Sequence, residues 1–326
     1  MLGATENNLQ GIDAAFPTGC MTAVTGVSGS GKSTLVLDIL APAACRSLGL
    51  GGRQPGAHLS VEGLEAIDQV ILIDQAPIGR TPRATPATYT GVFDAIRQVF
   101  ARARESKVRG FRAARFSFNR GGGRCETCQG QGVRRMAMNF LPDAVIPCAE
   151  CDGLRFNRAT LAVHHRGKSI ADVLAMEVQE ALVFFDAVPK VRKGLEALRD
   201  AGLGYITLGQ PASTLSGGEA QRVKLAAELG RTGTGRSLII LDEPTTGLHF
   251  ADVASLRAAL DRLADLGNTL VVIEHHPDLI RAADWMLDLG PDGGRGGGRI
   301  VAQGTPGKLA HDPGSVTGPY LRQRST

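Results

Sequence analysis

The residues best suited to chemistry begin with Gly26-Val27-Ser28-Gly29-Ser30-Gly31-Lys32-Ser33, a full G-x-x-x-x-G-K-[ST] run. It follows an apolar segment and precedes Leu35, Val36, Ile39 and Leu40 at helical spacing, the strand–loop–helix setting in which such a loop wraps phosphates. Its glycines let backbone N–H groups from Gly26, Ser28, Gly29, Ser30 and Gly31 converge on phosphate oxygens, and the helix start adds positive potential. Lys32 would reach the β- and γ-phosphates, Ser33 would ligate Mg²⁺, and Thr34 belongs to the same cradle. A second chemical group, Asp242-Glu243, closes the apolar run 238–241. There Asp242 suits a metal-holding acid and Glu243 a residue that orients or deprotonates water. A third is Cys125-x2-Cys128-x19-Cys148-x2-Cys151, the spacing of a closed four-thiolate Zn²⁺ site. A dithiol redox couple is the alternative; two pairs, each followed by a glycine able to turn the backbone under a metal, favour zinc.

These groups need elements to hold them. Short apolar runs at 21–27, 70–73, 238–241 and 270–273 suit buried parallel strands. Val253, Leu256, Leu260 and Leu263 mark a helix between the last two, closed by Gly267-Asn268. This alternation predicts an α/β fold in three stretches. Residues 1–80 and 213–326 form a nucleotide-binding core, and 81–212 form an inserted, mainly helical domain with helical patterns at 89–100, 170–185 and 191–201. The Gly-rich patch 293–298 reads as a turn between late strands. Apolar residues are 43% and charged residues 21%, which excludes disorder over most of the chain. No run reaches the ~18 residues of a membrane span, and the N-terminus carries no signal-peptide pattern; a soluble, cytoplasmic protein is expected. Net charge is only +4, but 102–124 holds eight basic residues against one acidic, a local +7 that leaves the remainder at −3. Lys107, Arg109, Arg112, Arg115, Arg120 and Arg124 are therefore candidates for phosphate contact, with Phe111, Phe116 and Phe118 interleaved. A solvated basic face with core phenylalanines is the alternative.

Leu215-Ser216-Gly217-Gly218-Glu219-Ala220-Gln221-Arg222, read with the phosphate loop and the paired carboxylates, resembles the signature motif of ABC-type ATPases. The resemblance implies ATP as ligand. It implies a site shared by two subunits, in which Ser216, Gly217 and Gly218 of one contact the γ-phosphate held by the other. It makes Gln75 the Q-loop glutamine and His275 the switch histidine. Where transporter cassettes carry an adenine-stacking aromatic, this chain has Glu6-Asn7-Asn8-Leu9.

A cysteine module between Gln75 and the signature, together with Gln75-Ala76-Pro77-Ile78-Gly79-Arg80, Pro86-Ala87-Thr88-Tyr89-Thr90-Gly91-Val92-Phe93, Gly122-Gly123-Arg124-Cys125-Glu126 and Asp242-Glu243-Pro244-Thr245-Thr246-Gly247-Leu248-His249, resembles the UvrA family of the ABC excinuclease. The likeness runs nearly end to end, but to the C-terminal ABC half of that family. It implies an ABC ATPase core with an inserted zinc-containing domain. It also implies binding of damaged double-stranded DNA in nucleotide excision repair, an ATP-dependent dimer (homodimer or heterodimer with another UvrA-like half), and UvrB as a possible partner although the UvrB-binding region has no counterpart here. A UvrA-like paralogue for drug resistance or damage sensing without incision, and a non-repair soluble ABC ATPase, stay open as alternatives.

Overall fold

The structure, a computed structural model, describes residues 1–136, 138, 144–231, 233 and 235–322. The chain divides into two compact units, one formed by 1–75 with 231–326 and the other by 76–230. The strands in chain order are β1 (Met21–Gly26), β2 (Gln69–Ile73), β3 (Val133–Met136), β4 (Ala144–Pro147), β5 (Ser237–Asp242), β6 (Thr269–Ile273), β7 (Trp285–Gly290) and β8 (Arg299–Gly304).

In the first unit the sheet order is β2-β5-β6-β1-β7-β8, parallel except for β8, which pairs antiparallel with β7. β1 and β6 are buried along their whole length, as expected of apolar runs covered on both faces. Leu35, Val36, Ile39 and Leu40 follow the phosphate loop and pack with Val24, Ile240, Val271, Ile273 and Leu287 in one core. The chain starts there with π-helical turns, Thr34–Leu40, before the α-helix Ala41–Ser47. Burial of each such side chain contributes ~1.5–3 kcal/mol, which anchors the loop to the sheet. Gly26, at φ 128, lets β1 and β7 approach closely: a Cβ there would sit 1.9 Å from the Leu289 carbonyl oxygen, so no other residue fits. Because β2, β5, β6 and β1 run parallel, Asp74-Gln75, Asp242-Glu243, Glu274-His275 and the loop 26–33 all emerge at one sheet edge. Such carboxyl ends are where open α/β sheets bind ligands.

The second unit is mainly helical, with the antiparallel β3–β4 hairpin. The helix Val92–Ala101 buries Val92, Phe93, Ile96 and Phe100, and the helix Pro189–Asp200 buries Val191, Leu195 and Leu198. The helical run expected over 170–185 is two helices, Ile170–Ala175 and Val178–Phe184. They part at Glu177, which is extended and bridges Thr207. The signature helix, expected with the core, instead lies in the second unit: Gly217–Gly230 packs against Pro189–Asp200. Among the described residues no helix is long and apolar enough to cross a membrane.

Candidate nucleotide site and metal centre

At the sheet edge, Lys32 is 6% exposed and donates to the carbonyls of Gly26 at 3.0 Å and Val27 at 2.8 Å. Burial lowers its pKa, against the opposing pull of Glu243, Asp288 and Asp242. Ser33, beside it, is exposed. Burial pushes the Asp242 carboxyl up, and the negative neighbours Glu243 and Asp74 push the same way, with Lys32 opposing. Crowded carboxylates beside a phosphate loop suit a divalent cation, which would relieve that repulsion. Glu243 adopts φ 45, and its N–H donates to the Ile273 carbonyl at 2.9 Å. This left-handed turn at the end of β5, costing of order 1–3 kcal/mol, is held by the neighbouring strand. Its carboxylate lies 3.5 Å from His275 Nε2, both side chains about half exposed. The structure thus brings the expected base and the expected switch histidine together. Gln75 stands, exposed, just beyond the end of β2.

Three supporting features have no signal in the sequence. Glu274 is 1% exposed and accepts hydrogen bonds from the Thr245 N–H at 3.0 Å, the Thr245 hydroxyl, the His275 N–H and the His276 N–H at 2.8 Å. One buried carboxylate therefore ties the segment after Glu243 to the segment carrying His275. The Gly-rich patch is a turn between β7 and β8, as expected, but it also packs under the phosphate loop. Gly294 N–H donates to Gly29 O and Gly298 N–H to Ser30 O, both at 3.0 Å. Asn8 bridges Gly29 O and Gly294 O, and Asn7 donates to Thr34 Oγ1 at 3.2 Å, which places Thr34 in a supporting contact. Finally, fully buried Asp288 accepts from Thr25, Ser315 and both Thr317 donors, binding the C-terminal segment to β1's neighbour.

In the second unit, Ser216 caps the signature helix. Glu219 N–H donates to Ser216 Oγ at 3.2 Å and Ser216 N–H to Glu219 Oε2 at 2.8 Å, a reciprocal capping box. Burial raises the Glu219 carboxyl, but hydrogen bonds from Ser216 and the Tyr205 hydroxyl outweigh it and hold the pKa below its ordinary value. Ser216 is exposed, and the first N–H groups of this helix are suited to a phosphate brought by another chain.

The four cysteines converge. The sulfurs of Cys125, Cys128, Cys148 and Cys151 all lie within 4.8 Å of one another and are buried. Cys128 and Cys151 are 3.7 Å apart, close to the ~3.8 Å spacing that ~2.3 Å Zn–S bonds impose on a tetrahedron. The two knuckles repeat in geometry as in sequence: Gln129-Gly130 and Asp152-Gly153 both take positive φ, at 51 and 77 and at 48 and 81. A Cβ at Gly130 would meet Phe118 O at 2.0 Å. Backbone N–H groups face the sulfurs, including Gly132 to Cys128 Sγ at 3.3 Å. Burial pushes Cys128 up and Cys151 to about 12. For Cys148 burial is outweighed by the N–H groups of Glu150 and Cys151, and the pKa falls. Four thiols so placed, none in a disulfide, form a cage compatible with Zn²⁺.

The basic segment divides. Lys107, Arg109, Arg112 and Arg120 are exposed. Arg115 is turned inward: it donates to Thr160 Oγ1 at 3.0 Å and Asn157 Oδ1 at 3.3 Å, and stacks 4.3 Å from the Phe111 ring centre. Arg124 pairs with Glu126. Phe116 and Phe118 are fully buried: Phe116 packs tilted against Phe100, and Phe118 stacks on Phe93 and meets Phe156 edge-on. The expectation that they interleave with the basic residues on a binding face is corrected, because the unit's core consumes them.

No family model matches the chain. It is 59% identical over 321 residues to UvrABC system protein A of Streptomyces avermitilis, covering 98% of this chain and 32% of that protein. It is 59% identical over 320 residues to UvrABC system protein A of Bacillus subtilis, with 98% and 33% covered. The crystal structure of UvrA2 from Deinococcus radiodurans superposes with a TM-score of 0.90 at 53% identity, over 98% of this chain and 39% of that one. The chain spans about a third of the length of the curated relatives it matches. The expected architecture, an ABC-type P-loop core with an inserted cysteine-bearing domain, is the one it has.

Proposed function

We propose, from the premise that the chain belongs to the UvrA family over the part of those proteins that it spans, that it is an ATP-hydrolysing module of a DNA-repair excinuclease system. The observation that carries this reading is the 3.5 Å approach of Glu243 to His275 beside the buried Lys32 loop. Lys32 leaves the carbonyls of Gly26 and Val27 for the β- and γ-phosphates. Ser33 and Asp242 would hold Mg²⁺, which would supply charge neutralisation at the phosphates. Glu243 orients and deprotonates the attacking water; His275 and Gln75 contact the γ-phosphate and the water. Ser216, Gly217 and Gly218 of a second UvrA-like module complete the site. Cys125, Cys128, Cys148 and Cys151 would hold a structural Zn²⁺, leaving no open position for catalysis.

Double-stranded DNA is the partner of the second unit, met by Lys107, Arg109, Arg112 and Arg120. With phosphate contacts dominating, recognition follows shape more than sequence. The test of the ATPase reading is turnover against protein concentration: specific activity rises as modules pair, and concentration-independent turnover contradicts the shared site. The test of the DNA reading is a salt series. Log K falls by about 0.9 per phosphate neutralised for each unit of log salt, and Arg112→Ala with Arg120→Ala flattens that slope. An unchanged slope moves the DNA surface elsewhere.

A further inference from the structure

Arg155 follows Cys151, in the second cysteine knuckle, by four residues and is 9% exposed, with φ 70. Its carbonyl accepts the Cys125 N–H at 2.9 Å, and its own N–H faces the Cys151 sulfur. The side-chain stem lies against Gly132, where a Cβ would come 3.0 Å from Arg155 Cγ. Gly132 is the residue whose N–H donates to Cys128 Sγ. The guanidinium sits 5.2 Å from the Phe118 ring centre and donates through Nη2 to Gly209 O at 3.0 Å. Nη1 is buried and has no hydrogen-bond partner among the described residues. Burial holds the Arg155 pKa below its ordinary value, with Cys128 and Cys151 opposing.

Four thiolates around one Zn²⁺ leave a net charge of −2, and a buried net charge needs a nearby counter-charge. Arg124, on the same module, already pairs with exposed Glu126, and Glu150 and Asp152 add negative charge at the rim. Arg155 is a buried cation whose backbone and stem lie against the two knuckles, through Cys125 N–H and Gly132. Its other contact, Gly209, opens the segment 209–215 that leads into the signature serine.

We propose that Arg155 is the counter-charge of the four-cysteine metal site and ties that site, through Gly209, to the segment that presents Ser216. This rests on the zinc reading of the cysteines. The guanidinium neutralises half of the cluster's excess charge from one side. From the other it fixes a carbonyl seven residues before the signature serine. Loss of the metal would therefore loosen the loop that a second module's nucleotide must meet.

The test uses the full chain, purified with its metal, as wild type, Arg155→Lys and Arg155→Met. Metal content is measured first, then zinc release to a colorimetric chelator, then amide hydrogen exchange over 209–216. Wild type carrying about one Zn²⁺, with release at least tenfold faster in Arg155→Met and near wild type in Arg155→Lys, is the expected result. Exchange over 209–216 speeds up in Arg155→Met. A wild-type chain without metal overturns the zinc reading, and this inference with it. A zinc-bearing wild type whose Arg155→Met variant holds zinc equally well overturns the inference alone. So does a folded Arg155→Lys variant that releases zinc as fast as a Cys148→Ser chain. If Arg155→Met does not fold, the Lys variant decides. Unchanged exchange at 209–216 in a folded Arg155→Met chain overturns the tether.

Discussion

The sheet edge of the first unit and the cysteine module of the second gather their chemistry by different routes. At the edge, Lys32, Glu243 and His275 stand more than 200 residues apart in sequence at the extremes, and parallel strand pairing alone brings them together. In the module, two six-residue knuckles with the same positive-φ turn place two sulfurs each, and the rest of the unit only holds the knuckles in register. The first design makes the site depend on a whole buried sheet; the second makes it depend on local turns and, in the proposed zinc site, on a metal. The edge should therefore tolerate the loss of one chemical group without unfolding, whereas the module should lose its structure along with its ligand.

The largest expected effect breaks the chemistry and leaves the sheet intact. Glu243→Gln should reduce ATP turnover by about 10²–10⁴-fold, the range for a lost general base. ATP binding should persist, as read by fluorescent-nucleotide titration. Lys32→Ala should instead weaken that binding by about 100-fold or more, since two charge-assisted contacts at ~1.5–3 kcal/mol each are lost. Equal loss of binding in both variants would mean that the edge does not separate binding from hydrolysis.

On the other side of the comparison, Cys148→Ser or removal of zinc by a chelator should unfold the module while nucleotide binding by Lys32 survives, because metal binding is folding free energy in such sites. Circular dichroism melts with and without chelator would resolve a lost transition. A module that melts identically without its metal would erase the contrast between the two regions.

Smaller still is the effect at Glu274. Glu274→Gln keeps the volume but removes the charge that accepts four hydrogen bonds. It should cost about 1–3 kcal/mol and lower turnover roughly tenfold at constant ATP affinity, through misplacement of Glu243 and His275. An unchanged turnover with reduced stability would make Glu274 a purely structural residue.

The smallest prediction concerns pH. Because the folded Glu219 carboxyl titrates below its ordinary 4.5, the cap's contribution is full above that value and is lost as pH falls through the folded pKa. The cap is worth ~0.5–2 kcal/mol. The melting difference between wild type and Glu219→Ala should be constant from pH 8 to 5 and shrink below 4.5. A difference that grows in acid would contradict this sign.

What sequence reveals here follows the same division. The phosphate loop, the Asp242-Glu243 strand end and the cysteine spacing carry their chemistry in adjacent residues, so their types and order suffice. Glu274, Asn8 and Arg155 act through carbonyls and N–H groups distant in sequence, and nothing in their spacing announces a partner. Arg115 and Phe118 read as surface binding residues because the 102–124 charge pattern is periodic in nothing. Only packing reveals that Phe118 stacks on Phe93 and that Arg115 is spent on Asn157 and Thr160. The signature helix reads as part of the core for a related reason: its motif belongs chemically with the nucleotide, but its apolar face belongs to the helix Pro189–Asp200.

In the proposed ATPase, one chain holds a nucleotide at its sheet edge and lends its signature helix to another. Solution mass by light scattering, on the Glu243→Gln chain with and without MgATP, tests it most directly. The expected result is a shift from 34.2 kDa to twice that mass on adding MgATP, abolished by Ser216→Arg while ATP binding remains. A chain that binds MgATP tightly and stays at the mass of one copy would contradict it.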